Sequence, residues 1–286
     1  MEHLWHNIEH SIEHAIEHSI VLIPFLFFTY LLMEYVEHKT GDGIRKVLSG
    51  AGKVGPFAGG IAGLLPQCGM SAAASSLYAG RMITLGTLLA IYLSTSDEML
   101  PIMISRSVEA GTIAKILALK AGIGMAAGFF VDFVLRLRGK EEKELKIHGM
   151  CEHEHCGCEG GIFKSALRHT VNIFIFVFLI TVLLNLGIEL LGEDSLFWTA
   201  LSQPVLGPIL AGVIGLIPNC AASIVITEMY LTGTIGFGTM MAGLLVGAGV
   251  GIMVLLRVNE SKKESLRIIG LLYGIGIVAG GVMNLF

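Results

Sequence analysis

The feature that most constrains this chain is a short Gly- and Pro-rich segment that occurs twice. The first copy reads GPFAGGIAGLLPQC (residues 55–68) and the second reads GPILAGVIGLIPNC (residues 207–220). Gln67 of the first copy is replaced by another side-chain amide, Asn219, in the second. The offset of 152 residues also relates further pairs: Tyr78 with Tyr230, Gly86 with Gly238, Gly124 with Gly276, Gly128 with Gly280, and Asp132 with Asn284. The chain is therefore predicted to be two copies of one structural unit.

The composition predicts that both copies lie in a membrane. Of the 286 residues, 53% are hydrophobic and only 15% are charged, and the mean hydropathy is +0.74. Long uncharged runs of this kind are typical of transmembrane helices. The first residues are acidic and His-rich, without the basic start of a signal peptide. We expect an all-α integral membrane protein that has lipids, and no nucleic acid, as partners.

The prolines of the repeated segment, Pro66 and Pro218, are predicted to interrupt helices. A proline removes a backbone hydrogen bond, and here it would free the carbonyl of Ala62 and, in the second copy, that of Ile214. Interrupted backbone at membrane depth is tolerated only where it lines a cavity or is buried in protein. Matched interruptions in two halves indicate the binding site of a transporter. The sequence leaves open whether each copy has three crossings plus a re-entrant hairpin, or five crossings.

A second candidate site lies within the apolar stretch 82–104, where STSDE precedes a proline. Carboxylates inside a membrane are costly and usually mark an ion path. Pro101 is expected to free the carbonyl of Asp97. The second copy has no acid at this place but carries Glu228, which either joins the ion site or pairs with a buried base such as Arg81. The predicted ion-binding residues are Gln67, Cys68, Ser94, Thr95, Ser96, Asp97, Glu98, Asn219, Cys220 and Glu228.

Two polar segments are rich in potential metal ligands. Residues 1–18 place a histidine at every fourth position, so that the imidazoles share one helix face. This face predicts either a divalent-metal site or the polar side of an amphipathic helix on the membrane. The run CEHEHCGC (residues 151–158) lacks zinc-finger spacing and predicts a metal-docking or sensing loop, or else a solvated linker. The accessory ligands are His6, His10, His14, His18, His148, Cys151, His153, His155, Cys156 and Cys158.

The distribution of basic residues predicts the orientation of the two copies. The loop after the first span is basic, whereas its counterpart after residue 191 is acidic. Since positively charged loops stay in the cytoplasm, the two copies are predicted to be inverted, with their breaks meeting at the bilayer midplane. The predicted parts are an amphipathic N-terminal helix (1–18), a first transmembrane repeat (19–137), a cytoplasmic Cys/His-rich loop (138–168) and a second repeat (169–286). Both termini would lie outside.

Three stretches carry a resemblance to a known family: GLLPQCGMSAAASSLYAG (63–80), STSDEMLP (94–101) and GLIPNC (215–220). They resemble a bacterial and archaeal family of ten-transmembrane heavy-metal exporters, whose members carry the labels arsenic efflux protein or manganese transporter. The resemblance implies an exporter in the cell membrane of a bacterium or archaeon. The Pro-x-Cys breaks are also similar to those of arsenic permeases, although the Cys-Ser-Cys of that group is absent here.

Several functions are compatible with these motifs. The leading prediction is a secondary-active exporter of a divalent cation such as Mn²⁺, which prefers carboxylate, amide and carbonyl oxygens. The chain contains no phosphate-binding GxxxxGK[ST] run, so an ion gradient, with a proton as coupling ion, would supply the energy. The alternative is efflux of arsenite or a similar thiophilic metalloid through paired Cys68 and Cys220. A remote alternative is an intramembrane metalloenzyme, but no HExxH run occurs, and we expect neither an enzyme nor a resident cofactor. Gly-rich spans allow a homodimer.

Overall fold

The computed structural model describes residues 54–65, 68–96, 99–137, 200–218 and 220–285, with isolated positions between 23 and 31 and between 163 and 179. All regular structure in these ranges is α-helical. Several predicted residues lie outside the described ones: Pro66, Gln67, Asp97, Glu98, Asn219, the His-rich segment 1–18, the Cys/His-rich loop, and the side chains of Cys68 and Cys220. Their predicted roles stay predictions.

The described helices form two sets of five whose bounds repeat along the chain. The first set is α1 (Gly55–Gly63), α2 (Cys68–Ala79), α3 (Leu85–Ser94), α4 (Met99–Ser105) and α5 (Ala110–Leu137). The second set is α6 (Leu206–Gly215), α7 (Cys220–Leu231), α8 (Phe237–Val246), α9 (Gly251–Val258) and α10 (Lys262–Met283). The helices α2 to α5 each begin 152 residues before α7 to α10, which is the offset of the sequence repeat.

The helices α1 and α3 lie side by side and run in the same direction. A side-chain carbon added at Gly55 would meet Thr87 near the start of α3, whereas one added at Gly63 would meet Ser94 at its end. The intervening α2 must therefore run back, so α1 and α2 form a hairpin. The second set repeats this arrangement, because Gly207 approaches Thr239 in the same way.

The helices α3 and α4 follow one another in one direction and are separated by residues 95–98. The long helix α5 is antiparallel to them, since Gly86 at the start of α3 approaches Asp132, and Thr95 beyond its end contacts Lys120. Because α5 begins ten residues before Lys120, its start lies about 15 Å beyond the end of α3, and α4 covers that distance. In the second set, α8, α9 and α10 repeat this arrangement, with a break at residues 247–250.

Two reciprocal helix pairs interlock the two sets. The helix α2 packs against α9 of the second set, and α7, the counterpart of α2, packs against α4, the counterpart of α9. In the first pair, the hydroxyl of Ser75 donates a hydrogen bond to the carbonyl of Gly251 at 2.7 Å. The centrally placed α3 and α8 are also in contact. Each set therefore completes the packing of the other.

Among the residues that the structure describes, three segments are long and apolar enough to cross a membrane: Ala110–Leu137, Phe237–Val258 and Lys262–Met283. The outer face of α5 exposes Phe130 and Phe133, whose exposed fractions are 68% and 59%. Many serine and threonine side chains, in contrast, are fully enclosed. An apolar exterior around a partly polar interior suits lipid better than water, so the described part fits a membrane protein.

The polar stretches 106–115 and 257–267 are helical over much of their length. The helix α5 begins at Ala110, and α10 begins at Lys262, where the side chain of Ser261 accepts a hydrogen bond from the Glu264 amide at 3.3 Å. The charged residues of the second stretch therefore lie largely in the first turns of α10. A capping serine followed by polar residues is a usual helix start, which the hydropathy pattern alone does not reveal.

Candidate functional site

A small cavity of about 20 Å³, with both polar and apolar residues in its wall, lies where the two helix sets meet. This volume is enough for one water molecule or one bare ion. Both helix breaks contribute to its wall, the first through Thr95 and Ser96 and the second through Gly247 and Gly249. The remaining polar or backbone-exposing lining residues are Lys120, Gly215, Ser223 and Gly243.

Local chemistry explains why α3 and α8 end at this cavity. The hydroxyl of Ser94 donates to the carbonyl of Ala90, and the hydroxyl of Thr95 donates to the carbonyl of Ile91 at 2.7 Å. Such side-chain bonds compete with the backbone bonds of a helix. In the second set, Gly249 has a φ of 51°, a left-handed conformation that favours glycine. The two breaks therefore have different sequence causes at corresponding positions.

Part of the predicted ion-binding set lies at the cavity. Ser94, Thr95 and Ser96 are buried, and the last two line the cavity wall. Asp97 and Glu98 follow directly in the chain but lie outside the described residues. The two predicted cysteines are the first residues of α2 and α7, so each begins the returning helix of a hairpin.

The prediction that the repeated prolines free backbone carbonyls is wrong. The helix α1 ends three residues before Pro66, and the carbonyl of Ala62 accepts a hydrogen bond from the amide of Leu65 at 3.2 Å. In the second copy, the amide of Ile217 donates to the carbonyl of Ile214 at 2.9 Å. The residue before a proline is disfavoured in a helix, so each helix closes with a tight turn before its proline is reached.

Pro101 is the third residue of α4 as the structure describes it. A proline in the first turn of a helix is tolerated, because the amide groups there have no partner inside the helix. Asp97 lies outside the described residues, so the expectation that Pro101 frees its carbonyl stays a prediction. Pro218 directly follows the turn that closes α6.

Glu228 lies in an ion pair that joins the two sets near the end of α7. Its carboxylate accepts hydrogen bonds from Arg106 at 2.9 and 3.1 Å, and it is not among the described lining residues of the cavity. Arg81, the base expected as its alternative partner, instead binds Glu264 through two contacts of 2.9 Å. The hydrogen bond to this carboxylate raises the pKa of Arg81, which keeps the guanidinium charged. Glu228 is therefore paired with a base, but this base is Arg106, whose side chain is 61% exposed, and not a buried one as the alternative expected.

Lys120 was not among the predicted site residues, although its side chain lines the cavity wall. Its side chain is 1% exposed, and its ammonium donates to the carbonyl of Leu244 at 2.9 Å and to the carbonyl of Thr95. Thr95 belongs to the first set and Leu244 to the second, so the ammonium connects the two halves. The sequence could have indicated Lys120, because the repeat offset relates this basic residue to an apolar one, Leu272.

By the repeat offset, Tyr92 is the counterpart of the cavity residue Leu244. The hydroxyl of Tyr92 lies 2.6 Å from that of Ser75, and both donate to the carbonyl of Gly251, at 3.1 and 2.7 Å. The two halves therefore contribute different side chains at corresponding positions, and Lys120 is a cation where the other half has Leu272.

Comparisons with family models, curated proteins and solved structures found no match for this chain. The class of protein is therefore defined by the fold and the cavity alone. It is a helical protein with candidate membrane spans, built from two related helix sets around a small cavity. Within the described ranges, no group of three or more His, Cys, Asp or Glu side chains is placed to hold a metal ion. The resemblance to heavy-metal exporters stays a prediction.

Proposed function

We propose that this chain is a secondary-active membrane transporter that exports a divalent metal cation, with Mn²⁺ as the leading candidate. The observation that carries the proposal is the pair of helix breaks that follow Ser94 and Val246, both of which border one small cavity. Irregular backbone at membrane depth is tolerated where it lines a cavity. Transporters built from two repeats bind their substrates at such paired breaks.

The directions of the helices support an inverted arrangement of the two sets. The helix α2 runs opposite to α3, because α2 returns from the hairpin and a five-residue loop connects it to the start of α3. The helix α9 runs parallel to α2, since Ser71 approaches Gly251 at its start, and Tyr78 binds Glu264 just beyond its end. The corresponding helices α3 and α8 therefore run in opposite directions, and the cavity is proposed to lie at the bilayer midplane.

A cation in this cavity requires anionic ligands, because the Lys120 ammonium lies in the wall, occupies the carbonyls of Thr95 and Leu244, and repels a second positive charge. The side chains of Ser96 and Ser223 add neutral hydroxyl oxygens to the wall. Asp97 and Glu98 follow the wall residues in the sequence and are proposed to supply the carboxylates that a hard divalent ion prefers.

The alternative substrate is arsenite or a similar thiophilic metalloid. It is supported by the position of Cys68 and Cys220 at the starts of α2 and α7, and Cys220 lies two residues before the cavity residue Ala222. A helix start also favours an anion or a polarised oxygen. The two substrates differ in the side chains they require, which makes them separable by mutation.

Uptake into proteoliposomes tests both substrates. Purified protein would be assayed with Mn²⁺, Zn²⁺, Co²⁺ and arsenite, as wild type and as Asp97→Asn, Cys68→Ser and the exposed control Ser105→Ala. We expect divalent-cation flux that falls at least about tenfold in Asp97→Asn, since losing a charged ligand costs more than about 1.4 kcal/mol. Cys68→Ser and Ser105→Ala should retain the flux. Arsenite flux that depends on Cys68 would replace this proposal, and the absence of any flux would contradict it.

A further inference from the structure

The burial of the Lys120 ammonium requires favourable partners. A lysine in a membrane span normally extends its ammonium toward the interface, because burying an isolated charge is very costly. Lys120 instead lies ten residues inside α5, and its side chain is 1% exposed. The surroundings of the ammonium must therefore stabilise a positive charge at this place.

The two carbonyls that accept from Lys120 are well suited to that task. Thr95 is the C-cap residue of α3, and Leu244 lies in the last turn of α8. The carbonyls at the end of a helix lack the usual helical partners and carry the negative end of the helix dipole. Two such helix ends, one from each half of the molecule, therefore converge on a single cation.

The other half of the molecule provides the contrast. The counterpart of Lys120 is Leu272, which is fully buried and apolar. The counterpart of Leu244 is Tyr92, whose hydroxyl, rather than a cation, binds the carbonyl of Gly251. A cation is thus placed at one of two related contacts, where two carbonyls and an open cavity coincide.

We propose that the carbonyls of Thr95 and Leu244 form a binding position for a monovalent cation of the ammonium or potassium class, which Lys120 occupies as a tethered cation. Carbonyl oxygens can replace the hydration shell of such an ion, as they replace water around the ammonium. The tether joins the first and second helix sets at their centre. This inference rests on the two carbonyl contacts and does not depend on which substrate is transported.

The test removes the tether and supplies a free cation in its place. Lys120→Ala leaves a space that a short alkylammonium can enter, whereas Lys120→Met fills the space without charge and serves as the matched control. The thermal unfolding midpoint of each purified full-length variant in detergent would be measured with propylammonium, potassium or choline chloride at one ionic strength. Choline is the reference because its quaternary nitrogen offers no N–H donor.

We expect the midpoint of the wild type to be the same in all three salts. The midpoint of Lys120→Ala should fall by about 5 °C or more in choline and recover in a saturable way with propylammonium, and to a smaller extent with potassium. Lys120→Met should be destabilised and should not respond. Equal midpoints of Lys120→Ala in all salts, or an equal response of Lys120→Met, would overturn the proposal.

A folding failure of Lys120→Ala would also give a result. The same membranes would then be extracted in propylammonium and in choline, and the yield of monodisperse protein compared. A yield restored by propylammonium alone supports the cation position, and failure in both salts overturns it. Transport is not measured, so the outcome is independent of the flux experiment.

Discussion

Single polar side chains bind the backbone groups at helix starts, where no water is available inside a membrane. Asp132 of α5 is buried, and its carboxylate accepts from the amide of Gly86 and the hydroxyl of Thr84, each at 2.7 Å. These donors lie at the start of α3, where amides have no helical partner. The counterpart Asn284 binds the corresponding place, donating to Thr239 at 3.2 Å. Both copies therefore fix the start of their broken helix with a side chain from their last helix.

Replacing Asp132 with alanine should leave the buried amide of Gly86 without its acceptor and remove one partner of the Thr84 hydroxyl. We expect Asp132→Ala to destabilise the protein by about 2 kcal/mol, because an unsatisfied buried donor costs about 1–3 kcal/mol. Asp132→Asn should cost less, since an amide oxygen can still accept and the second copy already uses asparagine there. Thermal unfolding in detergent measures both, with the exposed Glu109→Ala as control. A variant Asp132→Ala as stable as Glu109→Ala would show that the carboxylate does not hold this helix start.

Within each half, the helices pack through glycine at the cavity. A side-chain carbon at Gly215 would lie 2.3 Å from the carbonyl oxygen of Gly243, and one at Gly63 would lie 2.6 Å from that of Ile91. The backbone of the neighbouring helix cannot move away from an added side-chain carbon as a flexible side chain could. Glycine in membrane helices permits such contact, which brings the hairpin ends to the helix breaks.

The two kinds of glycine in these helices should respond differently to alanine. Gly215→Ala should destabilise the protein by about 1–3 kcal/mol, because the added methyl group meets backbone. Gly274→Ala is the matched control, since a side-chain carbon there meets nothing within 4 Å. It should be neutral or stabilising by up to about 1 kcal/mol, given the helix propensity of alanine. Equal unfolding midpoints for the two variants would contradict the close packing of α6 on α8.

The sequence predicted the helical units better than it predicted their interruptions and contacts. The duplication follows from residues that recur at one offset, whereas helix breaks were predicted at prolines and those after Ser94 and Val246 were not predicted. The partner of Glu228 and the burial of Lys120 could not be predicted, because each depends on residues of the other half, more than a hundred positions away. The prediction that Pro66 and Pro218 free backbone carbonyls was wrong for a local reason, because α1 and α6 end before these prolines.

At the scale of the whole molecule, the two halves are joined by charged contacts at opposite ends and by Lys120 between them. Arg81 and Glu264 pair near the start of α3, and Arg106 and Glu228 pair beyond the end of α4. Each pair contains one residue from each half. The first pair is the more enclosed, and Tyr78 adds a hydrogen bond of 2.6 Å to its carboxylate. This arrangement gives the proposed inversion a direct test, because corresponding loops must lie at opposite ends.

Residues Glu109 and Ser261 are counterparts by the repeat offset, and both are exposed at the start of a long helix. If the copies are inverted, Glu109 and Ser261 lie on opposite sides of the membrane. Thr232 then lies on the same side as Glu109, because α7 ends beside Arg106. The basic residues around α9 and α10 predict that Ser261 lies in the cytoplasm. A membrane-impermeant thiol reagent should therefore label Glu109→Cys and Thr232→Cys in intact cells, and Ser261→Cys only after permeabilisation. The wild type, with its own five cysteines, gives the baseline. Labelling of Glu109→Cys and Ser261→Cys from the same side would mean that the copies are parallel, and the midplane position of the cavity would have to be abandoned.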